Sequence, residues 1–223
     1  MTNDVALADA KRADLTEQMS AEQLFEAHQR AALAGIPDEQ YQLGAALAAG
    51  KGTAASPVAA INSYRSAAAC GHAESQLKLG LALTFGTGVE RNETEAARWL
   101  EAAGRQGHIV AQHYLALALV DGRGVPKNLP DAAAWFRRAA LAGYTPAQVN
   151  LGLLYLKGGP GLPQNYPEAI RCFSRAATQQ DVNAMFNLGL LYDRGNGVPS
   201  DPAVAFKWYR AAADRGNAEA QNK

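Results

Sequence analysis

The sequence predicts an all-α fold, a solenoid of stacked helix pairs, and three recurring features predict it. The first is a motif ending in a small residue. Tyr41-Gln42-Leu43-Gly44, Leu77-Lys78-Leu79-Gly80, Tyr114-Leu115-Ala116, Val149-Asn150-Leu151-Gly152 and Phe186-Asn187-Leu188-Gly189 recur every 36 residues, once every 37. The second is a Gly-x-Gly punctuation at Gly50/Gly52, Gly86/Gly88, Gly122/Gly124 and Gly195/Gly197. The unit with the extra residue carries Gly158-Gly159-Pro160-Gly161 at that point, so the insertion falls in a loop. The third is a pair of small residues, Ala67-Ala68, Ala103-Gly104, Ala139-Ala140, Ala176-Ala177 and Ala212-Ala213. Three features in phase over five units define a repeat.

Each unit divides into two helices. The first, about 37–49 in the first unit, carries Gly44 mid-helix, where glycine costs about 1 kcal/mol against alanine. Gly or Ala at that position in all five units implies a close helix–helix approach that a larger side chain would block. The helix ends at the first glycine of Gly-x-Gly, a left-handed cap. Val89, Val125, Leu162 and Val198 follow that loop and are expected to tuck back into the core.

The second helix starts from Ser56, Asn92, Asn128, Asn165 and Asp201, all favourable N-caps at one repeat position. Pro57 and Pro202 follow at the first helical position, where proline forfeits no hydrogen bond. Glu95, Asp131 and Glu168 stand three residues after the cap, which predicts capping-box geometry. Further along come Ala60, Ala96, Ala132, Ala169 and Ala205. Then come Tyr64, Trp99-Leu100, Trp135-Phe136, Cys172-Phe173 and Trp208-Tyr209. Small residues opposite large rings are how adjacent helices interdigitate, so the rings read as core.

Residues 1–34 are expected to hold a capping helix over about 4–18 and a half repeat, with Ser20 capping a helix near 21–33 and Gln23 at its third position. Five repeats occupy 35–216 (35–70, 71–106, 107–142, 143–179, 180–215), and residues 216–223 begin a sixth, truncated one. Ending within a helix suggests a piece of a longer protein, and makes the uncapped C-terminal end a candidate surface for self-association.

The unit Ala184-Met185-Phe186-Asn187-Leu188-Gly189-Leu190-Leu191-Tyr192-Asp193-Arg194-Gly195-Asn196-Gly197-Val198, completed by Lys207-Trp208-Tyr209-Arg210-Ala211-Ala212, resembles the Sel1-like repeat family, a relative of tetratricopeptide arrays. The resemblance covers about 35–216. It implies antiparallel helix pairs stacked into a right-handed superhelix. It also implies an adaptor role in signalling, cell-envelope assembly or host interaction, as is common for bacterial members. The cysteines that staple each unit in some members are missing here.

Composition narrows the function. Lys+Arg 21 balance Asp+Glu 21, which argues against nucleic acid as a partner. No stretch approaches the ~18 apolar residues of a membrane span, so no direct membrane insertion is expected. Cys70 and Cys172 lie about three repeats apart, ~30 Å at helix-packing spacings, too far for a disulfide. Two unpaired thiols and the lack of a signal-like N-terminus lean towards the cytoplasm, or the periplasm if the chain was trimmed from a longer protein. Gly50-Lys51-Gly52-Thr53 has neither the spacing nor the strand of a phosphate-binding loop. His28, His72, His108 and His113 make no metal-ligand pattern and read as loop or surface residues. No catalytic, cofactor-binding or metal residue stands out, so the chain reads as a non-enzyme.

What varies while the packing positions stay uniform is one face of the first helices. Gln42, Lys78, Tyr114, Asn150 and Asn187 share one level; Phe85, Asp121, Lys157 and Arg194 share another. These nine residues are the expected groove, on the concave face, for a peptide or partner protein. The favoured function is therefore a protein–protein interaction scaffold. The alternative is a structural or regulatory segment of a larger multidomain cell-envelope or signalling protein.

Overall fold

Helix follows helix along the chain, most of them launched by a polar side-chain cap, with the first helix of each repeat stopped by glycine. The structure is a computed structural model that describes residues 19–223. The expected helix over about 4–18 lies outside the described residues. Two compact units divide the chain, Met1–Gln106 and Gly107–Lys223. In the first unit, helices α1 (Ala21–Leu33), α2 (Pro37–Ala49), α3 (Pro57–Ala69), α4 (Ala73–Phe85) and α5 (Glu93–Arg105) pack each on the next. In the second, α6 (Ile109–Asp121), α7 (Leu129–Leu141), α8 (Thr145–Lys157), α9 (Tyr166–Thr178), α10 (Val182–Arg194) and α11 (Pro202–Ala213) do the same. A 3₁₀ turn, Ala220–Asn222, packs on α11. The fold class is the expected all-α array of helix pairs.

The second helices α3, α5, α7, α9 and α11 start where predicted, with Ser56, Asn92, Asn128, Asn165 and Asp201 each accepting a backbone N–H of the first turn. The capping-box expectation is corrected. The reciprocal box forms at Ser20 and Gln23, whereas Glu95 turns to Trp99 and Arg65, Asp131 to the Asn128 side-chain amide, and Glu168 to Arg171. A carboxylate with a cation or side-chain donor in reach gains more from it than from the exposed backbone N–H.

The first helices end on Gly50, Gly86, Gly122 and Gly195 with φ between 67° and 77°, the left-handed geometry a side chain would resist. Gly158 departs from this, with ψ −168°. The extra residue there lets Gly159 and Leu162 exchange two backbone hydrogen bonds of 2.7 and 2.9 Å.

The close approach at the mid-helix glycines is real, and its partner is the second-helix ring of the same repeat. A Cβ added at Gly44 would lie 2.7 Å from Tyr64, at Gly152 2.7 Å from Phe173, and at Gly189 2.6 Å from Tyr209. Tyr64, Leu100, Phe136, Phe173 and Tyr209 are buried, and Trp99, Trp135 and Trp208 only half-buried. In each Trp-led pair the second member, Leu100, Phe136 or Tyr209, is therefore the core side chain. Val89 and Leu162 pack, half-buried, against the cores of their units.

Two polar features escape hydrophobic-pattern reading. Gln40, Gln76 and Gln148, at one repeat position near the start of a first helix, donate their side-chain amides to Ala32, Ala68 and Ala140. These are carbonyls at the C-terminal end of the preceding second helix. Gln76 and Gln148 also accept from Gln106 and Gln179. The other feature is histidine capping: His72 and His108 accept, through Nδ1, from the N–H of Ser75 and Ala111.

His113 corrects the expectation that the histidines are loop or surface residues. It is buried on α6, with its ring 5.5 Å from Phe136, 5.2 Å from Tyr144 and 5.5 Å from Tyr114 (centroids), and its Nδ1 has no hydrogen-bond partner. Its position elsewhere is Tyr41, Leu77, Val149 or Phe186, so the repeat itself marked it as a packing site.

Candidate partner-binding faces

The nine predicted groove residues come from two levels of the first helices, the sixth and the last residue of each. Phe85, Asp121, Lys157 and Arg194 are each the last residue before a glycine cap. Lys157 and Arg194 there also complement the negative end of the helix dipole, and Asp121 pairs with Arg123 at 2.7 Å.

In the first unit, the structure brings Lys78 and Phe85 together. Both line a cleft of about 350 Å³ floored by Ile61 and Tyr64 of α3, with Leu81 and Ala82 of α4 between them. Leu81 lies four residues before Phe85 on the same face, a pairing that could have been found from the sequence. Phe85 is 63% exposed, a large ring left in water. Lys78 is the one charged residue among the described lining, and it reaches Glu74 one turn back at 3.3 Å. Burial pushes the Tyr64 phenol up to about 12, so the floor stays neutral. Such a cleft takes an apolar side chain, with a cation at its edge for an acidic or carbonyl group. Gln42 is not part of it; it lines a pocket of about 190 Å³ between α1 and α2, with Phe25, His28 and Lys51.

In the second unit, Tyr114 is half-buried against the His113 ring, and Asn150 is half-buried on α8. The Asn187 amide donates to the Asn183 carbonyl at 2.8 Å, within its own helix. That leaves its side-chain oxygen and one N–H to offer a partner. Lys157 and Arg194 are exposed at their helix ends.

Among the described residues, no group of three or more His, Cys, Asp or Glu side chains is placed to hold a metal. No described helix is long and apolar enough to cross a membrane.

A family model described as Sel1 repeat matches five consecutive segments, 40–72, 73–108, 109–144, 145–181 and 182–217. The last four begin with the first residues of α4, α6, α8 and α10. Among solved structures, the chain is similar to a protective antigen of uropathogenic Escherichia coli displaying an SLR fold. The identity is 31% and the TM-score 0.85, over 91% of this chain and 43% of that one. The chain thus spans less than half the length of that relative. A Sel1 repeat protein from Oxalobacter formigenes is 29% identical, with a TM-score of 0.76 over 98% of this chain and 84% of that one. No curated protein matches the sequence significantly.

Proposed function

Because the chain belongs to the Sel1 repeat family, whose members are generally protein-interaction scaffolds, we propose that it binds a peptide or partner protein on the faces of its first helices. The observation that carries this is the first-unit cleft, where an exposed Phe85 and the Lys78 cation edge an apolar hollow. Fully burying a side chain of that size contributes about 1.5–3 kcal/mol, and aromatic anchors of this kind dominate interface energies. Gln42, in the separate pocket between α1 and α2, adds a polar contact. Tyr114, Asp121, Asn150, Lys157, Asn187 and Arg194 supply the second unit's variable side chains.

Affinity capture by the full chain, read by mass spectrometry, tests the proposal. A Lys78→Glu/Phe85→Ser variant should lose the captured partners while its helicity and melting temperature hold, because both side chains reach solvent. An Asn150→Ala/Asn187→Ala variant should weaken capture without unfolding. Arg105→Ala, on the second helix α5, should capture normally. If Arg105→Ala loses the partners and the other two retain them, the binding surface is elsewhere.

A second reading makes the array a structural or regulatory segment of a larger protein. It is favoured by the Escherichia coli relative, most of whose chain lies outside the matched part.

A further inference from the structure

Repeat symmetry exposes an unpaired charge. In the first unit, Arg65 on α3 pairs at 2.5 Å with Glu95, near the start of α5. Arg137 and Glu168 hold the same repeat positions on α7 and α9, yet they do not pair. Glu168 is taken by Arg171 of its own helix at 2.6 Å, and Arg137 donates to the Tyr155 hydroxyl instead. The side chain of Arg175, one turn beyond Arg171, makes no hydrogen bond or ion pair with any described residue.

The three guanidiniums and Glu168 line one cleft of about 420 Å³ in the second unit. Three positive charges against one negative leave it cationic. Arg171 is held by Glu168, and Arg175 lies in the last turn of α9, where a cation complements the helix dipole. Apart from the Gln148 amide the rest is apolar: Leu141 at the rim is 66% exposed, and Cys172 in the floor is 5% exposed. Burial pushes the Cys172 thiol up to about 11, so the floor carries no charge of its own.

We propose that this cleft is a second binding site, for a peptide segment that carries a carboxylate beside an apolar side chain. A guanidinium fork accepts a carboxylate through two parallel hydrogen bonds, and Arg137 and Arg175 lack a carboxylate of their own. Leu141 offers the apolar contact. The Glu168 carboxylate in the wall repels a doubly charged phosphate more than a singly charged carboxylate, which favours an acidic peptide over a phosphorylated one.

The test is an NMR titration of the full chain with an acetylated, amidated hexapeptide of alternating leucine and glutamate. Saturable binding with Kd of about 1 mM or tighter is expected, with the shifted amides centred on α7 and α9. The leucine–glutamine analogue and the Arg137→Gln/Arg175→Gln variant should each weaken binding about tenfold or more. The variant should keep its melting temperature. The proposal is overturned by any of four results: no saturation, shifts centred on the first unit, equal affinity for the glutamine analogue or the variant, or displacement of the peptide by equimolar inorganic phosphate. The readout lies wholly in the second unit, so it stands or falls separately from the Phe85 cleft.

Discussion

His113 should make stability depend on pH in a window where few other groups titrate. Burial among three aromatic rings pushes its imidazole from the ordinary 6.5 down to about 4. As pH falls, the unfolded chain therefore takes up the proton before the folded one does. The stabilisation is complete above about pH 6.5 and disappears on the way down to about pH 4. Linkage gives a loss of about 2 kcal/mol between about pH 7 and pH 5, and about 3 kcal/mol in all. The comparison is His113→Leu, because Leu77 fills the same repeat position at 4% exposure. Urea unfolding followed by circular dichroism, stepped across that range for both proteins, isolates the imidazole, since carboxylates ordinarily titrate below it. The variant should be as stable as the parent or more so near pH 7, having lost a buried nitrogen without a partner, and should hold its midpoint towards pH 5 while the parent falls. Parallel profiles would refute the buried, neutral imidazole.

Gly189→Leu should destabilise by several kcal/mol through overpacking, although leucine is the better helix former; even Gly189→Ala puts a Cβ 2.6 Å from the Tyr209 ring, and an unchanged melting temperature would contradict that contact. Gln148→Leu should cost about 1–3 kcal/mol in unfolding free energy, because it strips the Ala140 carbonyl and Gln179 of a partner. Asn92→Ala should cost about 1 kcal/mol by loss of the α5 cap, measured by the same denaturation. Far-UV circular dichroism should show helix with essentially no sheet, and a substantial strand signal would be incompatible with the fold.

The fold was legible because glycine, capping residues and rings each answer to a local rule that the repeat prints five times. Gly189 could be read as a close approach without knowing that Tyr209 was what approached it. What pattern reading missed are residues whose job depends on a neighbour: Gln76 is polar and buried because Ala68, eight residues earlier, ends a helix with a carbonyl that can accept a second donor. His72 looks like a loop histidine until its Nδ1 meets the Ser75 N–H. The candidate groove was less legible. Its two levels follow from helical periodicity, but only packing reveals that Lys78 and Phe85 share a hollow while Gln42 lines another. The arginine cleft lay outside the first-helix reading, since its charged side chains stand on second helices and it depends on which of two arginines captures Glu168.

The glutamine amides bear on a hazard that all repeat proteins share while folding. When every repeat has nearly the same apolar face, burial alone cannot tell a helix's sequence neighbour from its next-but-one, and swapped stacks are traps of comparable depth. Each amide finds its carbonyl eight residues back along the chain, so the bond adds a directional contact to the pairing whose loop is shortest and closes first. Gln76 and Gln148 thus reinforce local closure, the fast route to a stacked array.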